Sequence, residues 1–524
     1  MLQADLFEIS RSRPEEVLIQ LAHPQKPESS PLNFLDSALP RSDGSGIAQG
    51  FPKSSPAWCF SSFIMLLAGL CYASFACAQG LGTPERPFAA NSPWNIRPVN
   101  AVLGDPAIPR SSYLPSVAEG RWSTGVFVAR ETDTAVDVLP LNGKPGVWDP
   151  DAEIHRPLVR IQRWPASVIP ATGLDGHAEI VDPVAGIIHS FFQLSRQDGQ
   201  WRAGQYAWTK LGGRGWGDPA HYFQGSRAAG VPTIGGLIRK HEILDGLPHY
   251  RHALAMSLTF NGLAAEPPYV FPATSADSGA RDNTGTVPEG SLMMLPPDFD
   301  TARIANVHLR KVADTLKLFG AYVVDRNHGT PFAIYVENGS NFNLHPKGWD
   351  NAVATELDRI RAELRPVLKS VGWVDANGQS LTIERNLNLL SLRGPWRKLQ
   401  GNQVAEYQTM EQAVVFPPTT ESIVMVNWSG RNLSQVTWAR AEAGKDYLLK
   451  VNSVGDAKLR LQLQAVDGTI TLDTGAIEGG QSFRITWPAL PVKVILLAYS
   501  GTSGKASRVG ASLLALSPSG TAGQ

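Results

Sequence analysis

Cysteine is almost missing from this 524-residue chain, and its three copies, Cys59, Cys71 and Cys77, sit close together near the N-terminus. Everything after Cys77 is therefore without thiols, which excludes a disulfide scaffold, a cysteine nucleophile and a thiolate metal centre there. Charge is also sparse: 18% of residues are charged, Lys+Arg equals Asp+Glu at 47 each, and no basic run or stripe occurs. A chain with no basic stripe has nothing to neutralise a phosphate backbone, so no nucleic acid partner is expected. Long apolar runs are limited to one, "AWCFSSFIMLLAGLCYASFACAQG", from Ala57. What the chain has in quantity is glycine, 49 copies, and proline, 39, within a 43% hydrophobic composition. That mixture describes a globular protein of short strands joined by many turns.

The single apolar run follows Lys53 and closes on Ala76-Cys77-Ala78 before Gln79. Small residues at these spacings suit signal peptidase, so 51–78 reads as a signal peptide cleaved after Ala78. A membrane anchor is the competing reading, but no basic stop-transfer flank follows. The expected product is secreted or periplasmic in a bacterium, with no stable membrane insertion after cleavage. Residues 1–50 read as an extension from a start codon placed too far upstream.

From Gln79 to about Pro170 the sequence is proline-rich, with strand-like runs at "GVFVA" and "TAVDVLPL"; the segment from Asp175 to Leu211 then reads as a β-meander. Two helices interrupt the β pattern. One runs from Ile304 to Phe319 and ends at Gly320; the other carries Val353, Leu357, Ile360, Leu364 and Leu368 behind Asp350 and Asn351. Beyond Lys398, "KLRLQLQAVDGTITLDTG" alternates apolar and polar residues and turns at Asp467-Gly468, a hairpin signature. The fold class expected is mainly β: a sandwich or jelly-roll-like main domain with a few helices over 79–400, and a C-terminal β-sandwich accessory domain over 401–524. The Ser/Gly tail after Pro518 is expected to lack order.

Histidines concentrate in "HEILDGLPHYRHAL", His241 to Leu254. His-Glu opens the zinc motif HExxH, but its fifth position is Asp245, followed by Gly246 and Pro248, so the second ligand and the helix to hold it are both missing. No metal is assigned. "YRHALAMSLTF" alternates instead, which places Tyr250, His252, Leu254 and Met256 on one face of a strand. A histidine and a tyrosine two residues apart at the end of such a row offer a base and a donor to one ligand. The plainer reading makes His252 a buried histidine satisfied by a carbonyl, and Tyr250 the edge of a core.

Glu242 and Asp325, the latter ending the strand-like "AYVVD", are the candidate carboxylates beside them; Arg239, Arg251, His177 and Trp208 are candidate substrate-binding residues. Asp175 reads first as a turn residue. An elimination at a uronate needs an arginine for the carboxylate, a base for the C5 proton and a donor for the leaving oxygen, which Arg239 or Arg251, His252 and Tyr250 could supply. Hydrolysis needs two carboxyl groups, for which Glu242 pairs with Asp325 or Asp175. The expectation is thus an exported enzyme that degrades a carbohydrate polymer, a polysaccharide lyase first and a glycoside hydrolase second. A non-catalytic carbohydrate-binding or surface-structural protein is the third reading. No cofactor is expected, and a structural calcium ion is left open.

The segments "GSRAAGVPTIGGLIRKHEILDG", "HYRHALAMSL", "YVFPATSADS", "VPEGSLMMLPPDFD" and "LKLFGAYVVDRNHG" together resemble a widespread, uncharacterised group of exported bacterial proteins over about 175–345. The resemblance implies Glu242, His252, Glu289 and Asp325 as the polar positions to watch. This chain departs from the shared pattern in carrying Arg326 where asparagine usually follows the aspartate.

Overall fold

Strands dominate because β-branched and aromatic residues fall in short runs between glycine and proline turns. The computed structural model describes residues 80–383 and 388–516. The expected extension, the signal peptide with its cysteines, and the tail after Pro518 lie outside the described residues. Among the described residues there are two α-helices, and neither is long and apolar enough to cross a membrane.

The central element is an eight-stranded mixed sheet. Its middle pairs the Leu254–Thr259 strand parallel to Ala321–Asn327 and antiparallel to Phe332–Tyr335; Ser116–Ala118 closes one edge and Arg97–Leu103 the other. One face packs on helix α1 (Val307–Leu318) and helix α2 (Asn351–Glu363), through Leu309, Val312 and Leu316 and through Val353, Leu357 and Ile360. The other face packs Ala255, Tyr322 and Val324 on Trp94, Trp216, Val181 and Ile188. A six-stranded sheet built around Ala178–Asp182, Ile187–Phe192 and Gln205–Lys210 forms this further layer, but the expected meander is broken: Ser195–Gln197 and Gln200–Ala203, between the last two, join a separate four-stranded sheet. Because both faces are covered, every residue of the Leu254–Thr259 strand is buried.

The structure corrects the strand's expected start. Tyr250 and His252 lie in the loop before Leu254. The helices also follow local rules with one correction. Asn306 and Asp350 cap the N-termini, each accepting two backbone N–H groups. Helix α2 ends at Glu363 because Pro366 pushes Arg365 out of helical geometry; Leu368 belongs to the Arg365–Val374 strand and is exposed.

The strands from Trp396 onward form two further sheets, of six and five strands, packed face to face on Leu449, Leu459, Leu461, Leu496 and Leu513. The Lys458–Ala465 strand alternates in burial and pairs with Ile470–Asp473 through the Asp467-Gly468 turn, as its sequence predicts. The sandwich starts upstream of the expected Gly401 boundary: Trp396–Gln400 is one of its strands, and Leu389, Leu390 and Leu392 enter its core. Polar contacts tie it to the rest of the body. Arg393 pairs with Asp151, the Trp438 indole donates to the Ala273 carbonyl, and the Tyr269 hydroxyl donates to the Gln435 carbonyl.

Candidate functional site

The Ala321–Asn327 strand carries a bulge: Met256 pairs with Val323 but Ser257 pairs with Asp325, so Val324 is an extra residue. Strict alternation would send Asp325 to the helix side with Ala321 and Val323. The extra residue turns it to the opposite face, that of Tyr322 and Val324, a common use of bulges near sites.

There Asp325 meets Arg227, whose Nη1 donates to Oδ2 at 3.0 Å. Arg227 comes from the tight loop Gly225 to Val231, closed by Gly230 N–H to the Arg227 carbonyl and tied to the strand by Ala229 N–H to the Val324 carbonyl. A side chain at Gly225 would collide with the Pro232 backbone, so only glycine allows the loop to fold this tightly. The guanidinium is buried, lies 3.6 Å from the Tyr335 ring centroid, and leaves Nε and Nη2 without hydrogen-bond partners among the described residues.

Acidic groups crowd Arg227, and Arg326 adds a second cation whose charge acts on Glu289. Burial lifts the Asp325 carboxyl to about 6, Arg227 opposes the rise, and the charges of Asp175 and Asp277 add to it. Asp175 is raised by burial, again against Arg227. Glu289 is buried, accepts the Asp277 N–H through Oε1 at 2.9 Å, and leaves Oε2 without a partner among the described residues. Burial holds its carboxyl well above the usual range. Beneath lie His177, pushed down to about 3 by burial and by the Arg227 charge, and Glu179, lifted to about 7 by burial against hydrogen bonds from Thr233 and Ser190. Exposure grades outward, from buried Arg227 and Glu289, through half-buried Asp325, Asp175 and Asp277, to exposed His328. Leu174, next to Asp175, is exposed, and Trp122, also exposed, lies against Gly173 with the Arg121 guanidinium 5.0 Å from its ring centroid. A buried cation paired with a carboxyl lifted toward neutrality, with further carboxyls around it, is suited to moving a proton at a bound neutral group.

No protein-family model matches the chain, and no curated protein matches it. Among solved structures it is similar to accessory secretory protein 1,2 and 3 of Streptococcus pneumoniae, at 11% identity over 26% of this chain and 99% of that one, TM-score 0.18. It is similar to the CBM22-1 xylan-binding domain of Paenibacillus barcinonensis Xyn10C at 12% identity, over 24% of this chain and 87% of that one, TM-score 0.15. A third likeness is to TmCBM61 in complex with beta-1,4-galactotriose, at 16% identity over 23% of this chain and 89% of that one, TM-score 0.16. Likenesses this slight carry nothing over to this chain.

The other polar group expected from the sequence lies at the opposite end of the same strands. His252 Nε2 meets Glu242 Oε2 at 3.1 Å and its Nδ1 meets the Ala253 carbonyl at 2.9 Å, so both ring nitrogens are engaged. Burial would raise Glu242, but the His252 charge and hydrogen bond and the Arg239 N–H outweigh it and hold the carboxyl down at about 2. Burial likewise opposes the His252 charge, and Glu242 outweighs it, raising the imidazole. Arg239 is buried on Glu337, at 2.8 Å, and on the Pro84 carbonyl.

The structure therefore joins Glu242, His252 and Arg239, and separates them from Asp325. Tyr250 is fully buried in the helix-side core, its hydroxyl without a partner among the described residues and the Lys311 ammonium 4.7 Å from its ring. Arg251 is exposed at the edge of a cavity of about 30 Å³ beside His252, roughly the room one water needs. Trp208 is buried in the core of the six-stranded sheet against His221. His177 does lie at the Arg227 cluster, on its buried side. No group of three or more His, Cys, Asp or Glu among the described residues is arranged to hold a metal ion.

Sequence reasoning missed Arg227, Asp277 and Tyr335. Arg227 left one legible trace, a lone charge within the small-residue run Gly225-Ser226-Arg227-Ala228-Ala229-Gly230. A cation in such a run has no local partner and must find one at a distance.

Proposed function

We propose that this chain is an exported carbohydrate-cleaving enzyme that works by acid–base hydrolysis, with Asp325 and Asp175 as its carboxyl pair. The observation that carries the reading is the ion pair of buried Arg227 with Asp325, whose carboxyl is lifted to about 6 by burial and by the neighbouring charges of Asp175 and Asp277. In its protonated form Asp325 gives its proton to the glycosidic oxygen as the bond to the anomeric carbon breaks. Ionised Asp175 takes a proton from the attacking water, whose hydroxyl joins that carbon. Arg227 holds Asp325 in place, and buried Glu289 fixes Asp277 through its backbone.

Elimination at His252 has less support. A base needs a free lone pair, and His252 has both nitrogens engaged, while the Tyr250 hydroxyl is buried in the core. Full-length protein incubated with xylan, galactan and polygalacturonate, with reducing ends and ultraviolet absorbance followed together, tests the reading. Reducing ends without an ultraviolet-absorbing product are expected. An unsaturated product would establish elimination instead, and binding without any cleavage would leave a carbohydrate-binding protein. Export is tested separately: material recovered from the medium of a bacterial host should begin at Gln79, and retained Cys71 or Cys77 would overturn cleavage after Ala78.

A further inference from the structure

Beside the sheet edge formed by Ser116–Ala118 runs a groove of about 660 Å³. One wall is the segment from Ser111 to Ala118, the other runs from Phe342 to His345 with Trp349, and Leu357 of α2 contributes to the floor. Its chemistry is unusual for a surface groove in two respects. No Asp, Glu, Lys or Arg lines it. Two large rings stand open along it, Tyr113 and Trp349, each 65% exposed.

A single exposed ring needs no explanation, but contiguous apolar surface marks interaction sites, and Leu114, 45% exposed, stands beside Tyr113 in the same groove. The two rings are held rigidly. The Trp349 indole stacks on His345, with centroids 4.7 Å apart and planes within 12°, and its Nε1 donates to Asn351 Oδ1 at 2.8 Å. The His345 ring is fixed in turn by accepting the Asp350 N–H at 3.0 Å. One face of the indole is thus covered, its only polar atom is satisfied, and what it offers is a flat apolar surface with its orientation already set. Tyr113 is anchored through its N–H to the Gly329 carbonyl at 2.9 Å, and its ring covers Gly329 so closely that a side chain there would touch it. Gly329 follows His328, whose charge reaches Asp175. The Tyr113 end of the groove is therefore continuous with the loop that leaves the Asp325 strand.

We infer that this groove is a subsite for an uncharged polysaccharide chain, with Trp349 and Tyr113 as stacking platforms. The inference rests on the carbohydrate reading above and narrows its substrate class. The C–H face of a pyranose ring is apolar and slightly positive, so it matches the negative face of an aromatic ring, while its rim hydroxyls meet Ser111, Ser112 and Asn343. With no fixed charge on its walls, the groove has nothing to pair with a uronate or a phosphate, and this favours a neutral polymer. A neutral polymer has no carboxylate to acidify its C5 proton, which agrees with hydrolysis rather than elimination. A groove that extends away from the carboxyls also calls for a substrate several rings long.

Affinity electrophoresis of the full chain through gels containing xylan, galactan or polygalacturonate tests this without requiring turnover. Wild type and the Asp325→Asn variant are expected to be retarded alike by a neutral polymer and not by polygalacturonate. Trp349→Ala and Tyr113→Ala should each bind about tenfold more weakly, the range for losing one aromatic contact in a defined site. Both rings are largely exposed, so an unchanged melting midpoint is expected and would confirm that the variants fold. Retardation by polygalacturonate alone, equal binding by the ring variants, or no retardation by any neutral polymer would overturn the inference. Neutral-polymer binding lost with Trp349 while Asp325→Asn retains full turnover would keep this subsite and reject the catalytic pair.

Discussion

Replacing His252 with alanine separates a structural histidine from a catalytic one, and the size of the effect follows from its contacts. In the wild type the imidazole faces Glu242, a buried carboxylate held at about 2 instead of the ordinary 4.5. At 1.36 kcal/mol per pKa unit this corresponds to about 3 kcal/mol of favourable interaction. The raised His252 reports the same contact and is not counted again. Removing the imidazole leaves Glu242 buried with only the Arg239 N–H bonded to it, and deleting one partner of a buried pair costs about 3–5 kcal/mol, so a loss toward the lower end is expected. The pH dependence has a definite sign. Glu242 is depressed, so its contribution is present above 4.5 and lost as pH falls toward about 2. His252 is raised, so its contribution is present below 6.5 and lost as pH climbs through its folded value. The stability gap between wild type and His252→Ala should therefore be widest between pH 4.5 and 6.5, and should shrink in more alkaline buffer. Urea unfolding at pH 5.5 and pH 9 measures it, with Glu242→Gln as a milder variant that keeps an acceptor for the Arg239 N–H. Turnover by whatever remains folded should be near that of the wild type. A His252→Ala protein that unfolds with the wild type at both pH values yet has lost activity would refute this reasoning and restore a catalytic histidine.

At the Arg227 cluster, Asp325→Asn should lower turnover by ~10²–10⁴-fold, the range for losing a general acid or base, in steady-state assays on the best polymer. Because Asp325 is lifted to about 6 and must be protonated to act, activity should decline as pH rises through 6, with an optimum on the acidic side of neutrality; a flat profile from pH 5 to 8 would count against it. In the C-terminal sandwich, a fragment covering 388–516 should melt cooperatively and well above one covering 401–516, which lacks the Trp396–Gln400 strand and three core leucines, in circular dichroism scans. Equal melts would show that those residues belong to the main body.

Much of the architecture was written locally. The Lys458–Ala465 strand alternates because one of its faces is buried and the other solvated, so burial can be read from spacing two. The caps at Asn306 and Asp350 are equally local, since each side chain satisfies N–H groups two and three residues away. Even the Glu242–His252 pair was foreseeable, being ten residues apart across a Gly-Leu-Pro turn. The carboxyl cluster was not. Arg227 and Asp325 lie 98 positions apart, and Asp325 reaches Arg227 only because a bulge at Val324 reverses the direction that alternation assigns it. Tyr250 looked like a donor at a strand end, but the helices and the second sheet cover both faces of that strand, so the alternating pattern carried no information about water there. The sequence by itself determined where chain segments become strands and helices, since those choices are set by neighbours within a few residues. Which polar groups meet, and which of them water can reach, was decided by layers packed from distant parts of the chain.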